Sequence, residues 1–170
     1  EKLKEAHVDG IILDLRNNGG GSLNHVVEMA GLFIDKGPVV QVKGRSGAPY
    51  IMDDRDGITL YDGSLIIMIN ANSASASEIL AAAIQDYKRG IIVGTSTSTF
   101  GKGTVQRFYD LDEYLTKESE SLSPLGEVKI TVQKFYRING DATQLKGVIP
   151  DIVLPDPYYL IEQGEKEQDY

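Results

Sequence analysis

The chain has no cysteine among its 170 residues, which excludes disulfides, thiolate metal sites and a cysteine nucleophile together. It is short of basic residues: 17 Lys and Arg face 25 Asp and Glu, a formal net charge of −8. A surface of that sign repels phosphate backbones and disfavours general nucleic-acid binding. Long hydrophobic runs are absent too. Stretches such as Leu65–Ile69 fall far short of the about 20 apolar residues of a membrane span. The opening Glu1-Lys2-Leu3-Lys4-Glu5-Ala6 has neither an initiator Met nor a charged-then-apolar leader. It reads as the last turns of a helix that begins upstream, so the chain is taken as one piece of a larger protein. What is present is ordinary globular composition, 41% hydrophobic and 25% charged, which excludes wholesale disorder and suits one domain with a core.

The pattern along the chain alternates between strand and helix. Val8 to Leu15 is a β-branched apolar run, stopped by Arg16-Asn17-Asn18-Gly19-Gly20-Gly21. Ser22 caps a helix expected to reach about Ile34, with Val26, Val27, Ala30, Phe33 and Ile34 on its apolar face. Val39–Val42 and Leu65–Ile69 read as strands, with a turn-rich hairpin region from Gly44 to Gly63 between them. A second helix is predicted from about Ser75 to Lys88, then a strand at Ile91–Val93. Thr104 to Tyr109 is extended, Asp110 to Pro124 a long polar loop, and Glu127 to Ile138 alternates with the period of a strand. Val148 to Leu154 is a last extended segment. These units predict an α/β fold, a mixed sheet with covering helices, over residues 1–157. Residues 158–170 read as a polar, acidic, flexible tail.

Three segments carry the candidate chemistry, each at a strand end, where α/β folds place their sites. The first is Ser73-Ala74-Ser75-Ala76-Ser77-Glu78. Ser75 with Glu78 forms a capping box, which by itself explains both residues as helix caps. The same position also suits a nucleophile, because helix N-terminal amides favour developing negative charge. A serine nucleophile needs a base, and neither His7 before the first strand nor His25 in the first helix is placed to serve. That leaves a lysine, which ordinarily titrates near 10.4 and becomes a base when burial brings it toward about 7–8.

The second segment, Phe100-Gly101-Lys102-Gly103-Thr104, holds such a lysine between glycines. In extended chain Lys102, Thr104 and Gln106 share a face, so Gln106 can hold the amine that reaches a serine. The competing reading is an exposed lysine in a glycine-rich turn. A phosphate loop is rejected: Gly103 rather than Ser or Thr follows Lys102, Gly94 is too distant, and the continuation reads as strand. The third segment, Gly19-Gly20-Gly21, is either a tight turn or a source of amides for an oxyanion hole, with the amide of Ala76 as the other half. Asp53, Asp54 and Asp56 lack the full calcium-loop pattern, so no metal is expected.

Together these segments resemble the S41 serine peptidases, the C-terminal processing or tail-specific proteases, in their bacterial long form. The resemblance runs in order through Asp14–Gly21, Ser73–Ile79, Gln85–Tyr87, Thr99–Gln106, Lys134–Arg137 and Lys146–Asp151. It implies a ClpP/crotonase-like core and a Ser-Lys dyad. Ser75 is then the nucleophile, Lys102 the general base and Gln106 its orienting partner, with Gly21 and Ala76 as the oxyanion hole. Gly20, Glu78, Asp86 and Thr99 fall at supporting positions. No metal or cofactor is implied. Implied partners are protein or peptide substrates, an upstream PDZ domain of the same protein, and an envelope adaptor or self-association. The implied location is the bacterial periplasm or cell envelope. Gly94–Thr99 is slightly longer than usual for the family. Two other readings compete: a catalytically silent S41-like binding or scaffold module, and an acyl-CoA enzyme of crotonase type. The joint presence of Ser75, Lys102 and Gln106 disfavours both.

Overall fold

A computed structural model describes residues 2–158, Ile161 and residues 163–168. Two four-stranded sheets enclose two helices. The first sheet is wholly parallel: β1 (Gly10–Asp14), β4 (Ser64–Ile69), β5 (Ile91–Gly94) and the short β8 (Ile152–Val153), in the order β1-β4-β5-β8. The second is wholly antiparallel, with β3 (Tyr50–Asp54), β2 (Gly37–Gly44), β7 (Glu127–Tyr136) and β6 (Thr104–Asp110) in the order β3-β2-β7-β6. The expected mixed character thus lies between two sheets and not within one. The reason is connection length: β2–β3 is a local hairpin and β6–β7 a longer one, whereas each parallel pair needs a long crossover. That crossover runs through helices for β1–β4 and β4–β5 and through the β6–β7 hairpin for β5–β8.

The short α1 (Lys2–Glu5) precedes β1. Helix α2 (Leu23–Gly31) is capped by Ser22, whose Oγ accepts from the His25 N–H at 3.4 Å. It stops at Gly31, short of the predicted Ile34, although Phe33 and Ile34 still reach the core from the turn that follows. Helix α3 (Ala76–Asp86) is buried from Ala76 through Ile84. A helix covered all round must lie between layers, and α3 packs against β5 of one sheet and β2 of the other. Its run of Ala81, Ala82 and Ala83, all buried, lets those layers close on it. Leu65, Ile67, Ile69 and Ile92 from the parallel sheet, with Val40, Val42 and Phe135 from the antiparallel one, complete one core.

The polar excursion 110–124 is not formless. Two 3₁₀ turns, Leu111–Tyr114 and Glu120–Leu122, interrupt it, and the Asp112 carboxylate accepts from Ser123 Oγ and the Leu125 N–H. The acidic tail also departs from the expectation of a solvated end. Gly164 is buried and the Glu165 N–H donates to the Phe100 carbonyl at 2.7 Å. A backbone amide finds a fixed acceptor there despite the polar sequence around it. Tyr159, Leu160, Glu162, Asp169 and Tyr170 of that tail lie outside the described residues.

Candidate active site

The loop after β4 turns sharply into α3 at Ser75, whose φ of 57° and ψ of −115° are an uncommon conformation for a side chain-bearing residue. Serine at the helix start is thereby lifted off the helical path and onto the cleft wall. The loop after β1 lies directly against it. Gly20, at φ +107°, is so close that a Cβ there would meet Ser75 Cβ at 2.8 Å and the Ala76 nitrogen at 2.9 Å. Only glycine permits that approach. Asn18 fastens the loop from both ends: its Oδ1 accepts from the Gly20 N–H at 2.9 Å, and its carbonyl from the Ala74 N–H at 3.0 Å. Beside the occupied Gly20 amide, the N–H groups of Gly21 and Ala76 have no partner among the described residues. They are the two amides expected to form an oxyanion hole.

Lys102 enters from the other side. Ser75, Ala76, Gly21, Lys102 and Gln106 line one cleft of about 420 Å³, with Leu23, Ile79, Val105 and Phe135 supplying apolar walls. Neither histidine borders it. No hydrogen bond joins Ser75, Lys102 and Gln106, and the Lys102 ammonium has no ion pair among the described residues. A larger, open groove of about 1430 Å³ crosses the C-terminal ends of the parallel strands at Asp14, Asn70 and Thr95, and contains none of these five residues. Among the described residues, no group of three or more His, Cys, Asp and Glu side chains could hold a metal ion.

Glu78 joins the two halves. Its carboxylate is fully buried, and Oε2 accepts from the Ser75 N–H at 2.7 Å and the Lys102 N–H at 2.9 Å. Oε1 accepts from Thr99 Oγ1 at 2.5 Å and the Gly101 N–H at 2.7 Å. One side chain therefore holds the backbones of Ser75 and Lys102, which are 27 residues apart in the chain. The capping box is real in its Glu78 half, but the carboxylate reaches well past the helix it caps. Burial pushes this carboxyl up to about 7, against the downward pull of its four hydrogen bonds, from Thr99 first. Thr99 Oγ1 in turn accepts from the Val148 N–H at 2.7 Å.

Asp86 supports from a distance. It lies at the far end of α3, 11 residues beyond Ser75, or roughly 16 Å at the rise of an α-helix. There it forms a bidentate pair with Arg137, at 2.6 and 3.1 Å. The sequence reading assigned no role to Asn18, Ser73 or Gln144. Ser73 Oγ donates to the Leu15 carbonyl at 2.8 Å while its own carbonyl accepts from the Phe100 N–H at 3.0 Å. Gln144 Oε1 accepts from the Gly103 N–H at 2.7 Å. The only signal for the first two was membership of the quoted motifs; for Gln144 there was none.

The family model for Peptidase family S41 matches residues 1–154. A tail-specific protease of Haemophilus influenzae is 49% identical over 99% of this chain, which covers 24% of that protein. A carboxy-terminal-processing protease of Bartonella bacilliformis is 35% identical over 98% of this chain, which covers 37% of it. The chain thus spans about a quarter to a third of the length of these curated relatives. Among solved structures, a photosystem II D1 C-terminal processing protease aligns with a TM-score of 0.74 and 34% identity, over 91% of this chain and 36% of that one. Mature CPAF aligns at a TM-score of 0.70 but 13% identity, over 91% of this chain and 40% of that one, a likeness of fold alone. With an α/β fold of the ClpP-like kind, and a family match that runs through both halves of the cleft, the chain belongs to peptidase family S41.

Proposed function

We propose that this chain is the catalytic core of a serine endopeptidase that works through a Ser75–Lys102 dyad on proteins recognised by their C-termini. The observation that carries the reading is the single cleft lined by Ser75, Lys102, Gly21 and Ala76, the amides of the last two having no partner among the described residues. Neutral Lys102 takes the proton of Ser75 Oγ, and the resulting alkoxide attacks a peptide carbonyl carbon. The amides of Gly21 and Ala76 donate to the oxyanion that forms. Collapse of the tetrahedral adduct breaks the C–N bond, and the Lys102 ammonium gives its proton to the leaving amine. Water, deprotonated by Lys102, then attacks the acyl ester and releases Ser75 with its proton restored. Gln106, which lines the same cleft, is the partner that orients the lysine amine in this reading.

The apolar lining from Leu23, Ile79, Val105 and Phe135 suits an aliphatic side chain on the acyl side of the cut. The resemblance supports an upstream PDZ domain as the device that captures the substrate's C-terminus, and a bacterial envelope location. The first experiment is cleavage of an unstructured protein with an apolar C-terminus, by the chain and by Ser75→Ala side by side. Cleavage is expected from the former and none from the latter, with the circular dichroism of both alike. Lys102→Ala is expected to be equally inactive from pH 6 to about 10. Undiminished cleavage by either folded variant would remove that residue from the mechanism. A silent scaffold, the competing reading, is favoured by the absence of a Ser75–Lys102 hydrogen bond; it requires that the longer protein also fail to cleave.

A further inference from the structure

The loop that carries Lys102 is short and contains two glycines, Gly101 and Gly103, so its own backbone preferences do little to hold it. Nearly every polar group along it is nonetheless taken. The Thr99 N–H donates to the Val148 carbonyl at 3.1 Å, the Phe100 N–H to Ser73, and the Gly101 and Lys102 amides to Glu78. The Gly101 carbonyl accepts from the Leu145 N–H at 2.7 Å, and the Gly103 carbonyl from the Phe135 N–H at 3.0 Å. Two of the remaining positions bracket Lys102, at Phe100 before it and Gly103 after it, and both are satisfied from one place. The Phe100 carbonyl accepts from the Glu165 N–H at 2.7 Å. The Gly103 N–H donates to Gln144 Oε1 at 2.7 Å, and Gln144 Nε2 donates to Glu165 Oε1 at 3.3 Å.

Gly164 makes the approach possible. Its φ is +138°, and a Cβ on it would stand 2.9 Å from the Phe100 carbonyl oxygen. This segment also lies past residue 154, where the match to the family model ends. A piece of chain outside the matched module therefore closes the hydrogen bonding of the loop that bears the base. We propose that Gly164–Glu165, joined through Gln144, is a strap that positions the Lys102 loop for proton transfer. This rests on the protease reading for its catalytic consequence, while the mechanical claim stands on the hydrogen bonds alone.

The strap acts through Lys102 and touches no reacting atom, so Gln144 and Gly164 are positioning residues. The amine must meet Ser75 within hydrogen-bond reach, and loosening its loop lowers the fraction of molecules aligned for transfer. Substrate binding along the apolar cleft wall is untouched. Gln144→Met, Gly164→Ala and a chain ending at Gln163 are therefore expected to lower kcat about tenfold while KM stays within about twofold. In Gly164→Ala, amide hydrogen exchange is expected to quicken at Gly101, Gly103 and Leu145 and to remain unchanged in β4 and α3. Unchanged kcat and unchanged exchange in the folded variants would overturn the strap. So would exchange that quickens uniformly along the chain, because the contact would then serve stability in general. If neither the parent chain nor the longer protein shows Ser75-dependent hydrolysis, the protease reading fails, and the exchange comparison still decides whether the strap holds the loop.

Discussion

At the scale of single residues, two carry unusual states in the same few ångströms. Ser75 adopts a left-handed φ of 57° without being glycine, a conformation that costs on the order of 1–3 kcal/mol and persists because the surroundings enforce it. Glu78 does the enforcing, by accepting the Ser75 N–H from within the buried interior. Its own burial has a consequence for stability. With the folded carboxyl at about 7 and the reference at 4.5, the native state binds more protons than the unfolded state between those values. Its contribution is present below about pH 4.5 and is lost as pH rises through about 7, a change on the order of 3 kcal/mol. Glu78→Gln cannot titrate. The stability of the parent relative to Glu78→Gln, from urea unfolding, is therefore expected to fall from pH 4.5 to 7 and to level off above. A pH-independent difference would show that the carboxyl is not shifted upward.

At the scale of elements, the site is a junction of two strand-to-helix turns and one loop. The turn after β1 and the turn after β4 touch through Gly20, and this contact brings Gly21 and Ala76, the proposed oxyanion donors, to one cleft. Gly20→Ala must move the loop, since its Cβ would fall 2.8 Å from both the Ala74 carbonyl oxygen and Ser75 Cβ, against backbone at a positive φ. A fold that remains intact by circular dichroism is expected, with kcat lowered about 100-fold by a misplaced amide. Wild-type hydrolysis by the folded variant would show that Gly21 takes no part. These contacts join segments far apart in sequence, yet the glycine run and the capping serine were legible beforehand. Their local chemistry, positive φ and helix capping, marks such residues in any chain. The partners were not legible, because a hydrogen bond from the Ala74 N–H to the Asn18 carbonyl follows from which strands are neighbours and from nothing local.

At the scale of the molecule, α3 is the axle between two sheets, and its far end is stapled to both. Arg137, just beyond β7, pairs with Asp86 and also donates to Gln85 Oε1 at 3.0 Å. Gln85 Nε2 reaches the Ile149 carbonyl and the Asp151 carboxylate, immediately ahead of β8. The ion pair is mostly buried, at 16% and 11% side-chain exposure, so removing one partner leaves a poorly solvated charge. Asp86→Asn is expected to cost about 2–4 kcal/mol in urea unfolding, with little effect on KM; a loss under about 0.5 kcal/mol would mean the pair is solvated in solution. Among the described residues, helices cover the parallel sheet on one face only. On the other, Ile12, Ile91 and Ile152 are 64%, 47% and 47% exposed, whereas parallel sheets are ordinarily covered on both sides.

The amino-acid sequence by itself determined the alternation of strands and helices, the absence of thiol chemistry, and the residues that form the candidate site. It could do so because periodicity, turn chemistry and capping are local properties, and because the motif residues stand in order along the chain. It also named Glu78 as a cap, since the spacing from Ser75 requires only one turn of helix. Tertiary structure alone decided that the strands separate into a parallel and an antiparallel sheet, and that the helix between them brings Ser75 to Lys102. It alone turned a helix cap into the link between the backbones of Ser75 and Lys102, and tied part of a polar tail to the Lys102 loop. In each case the deciding contact joins residues distant in sequence. Where that contact is polar, it is selected by the cost of leaving a buried polar group unsatisfied, and which partner lies within reach is settled by the packing of the whole chain.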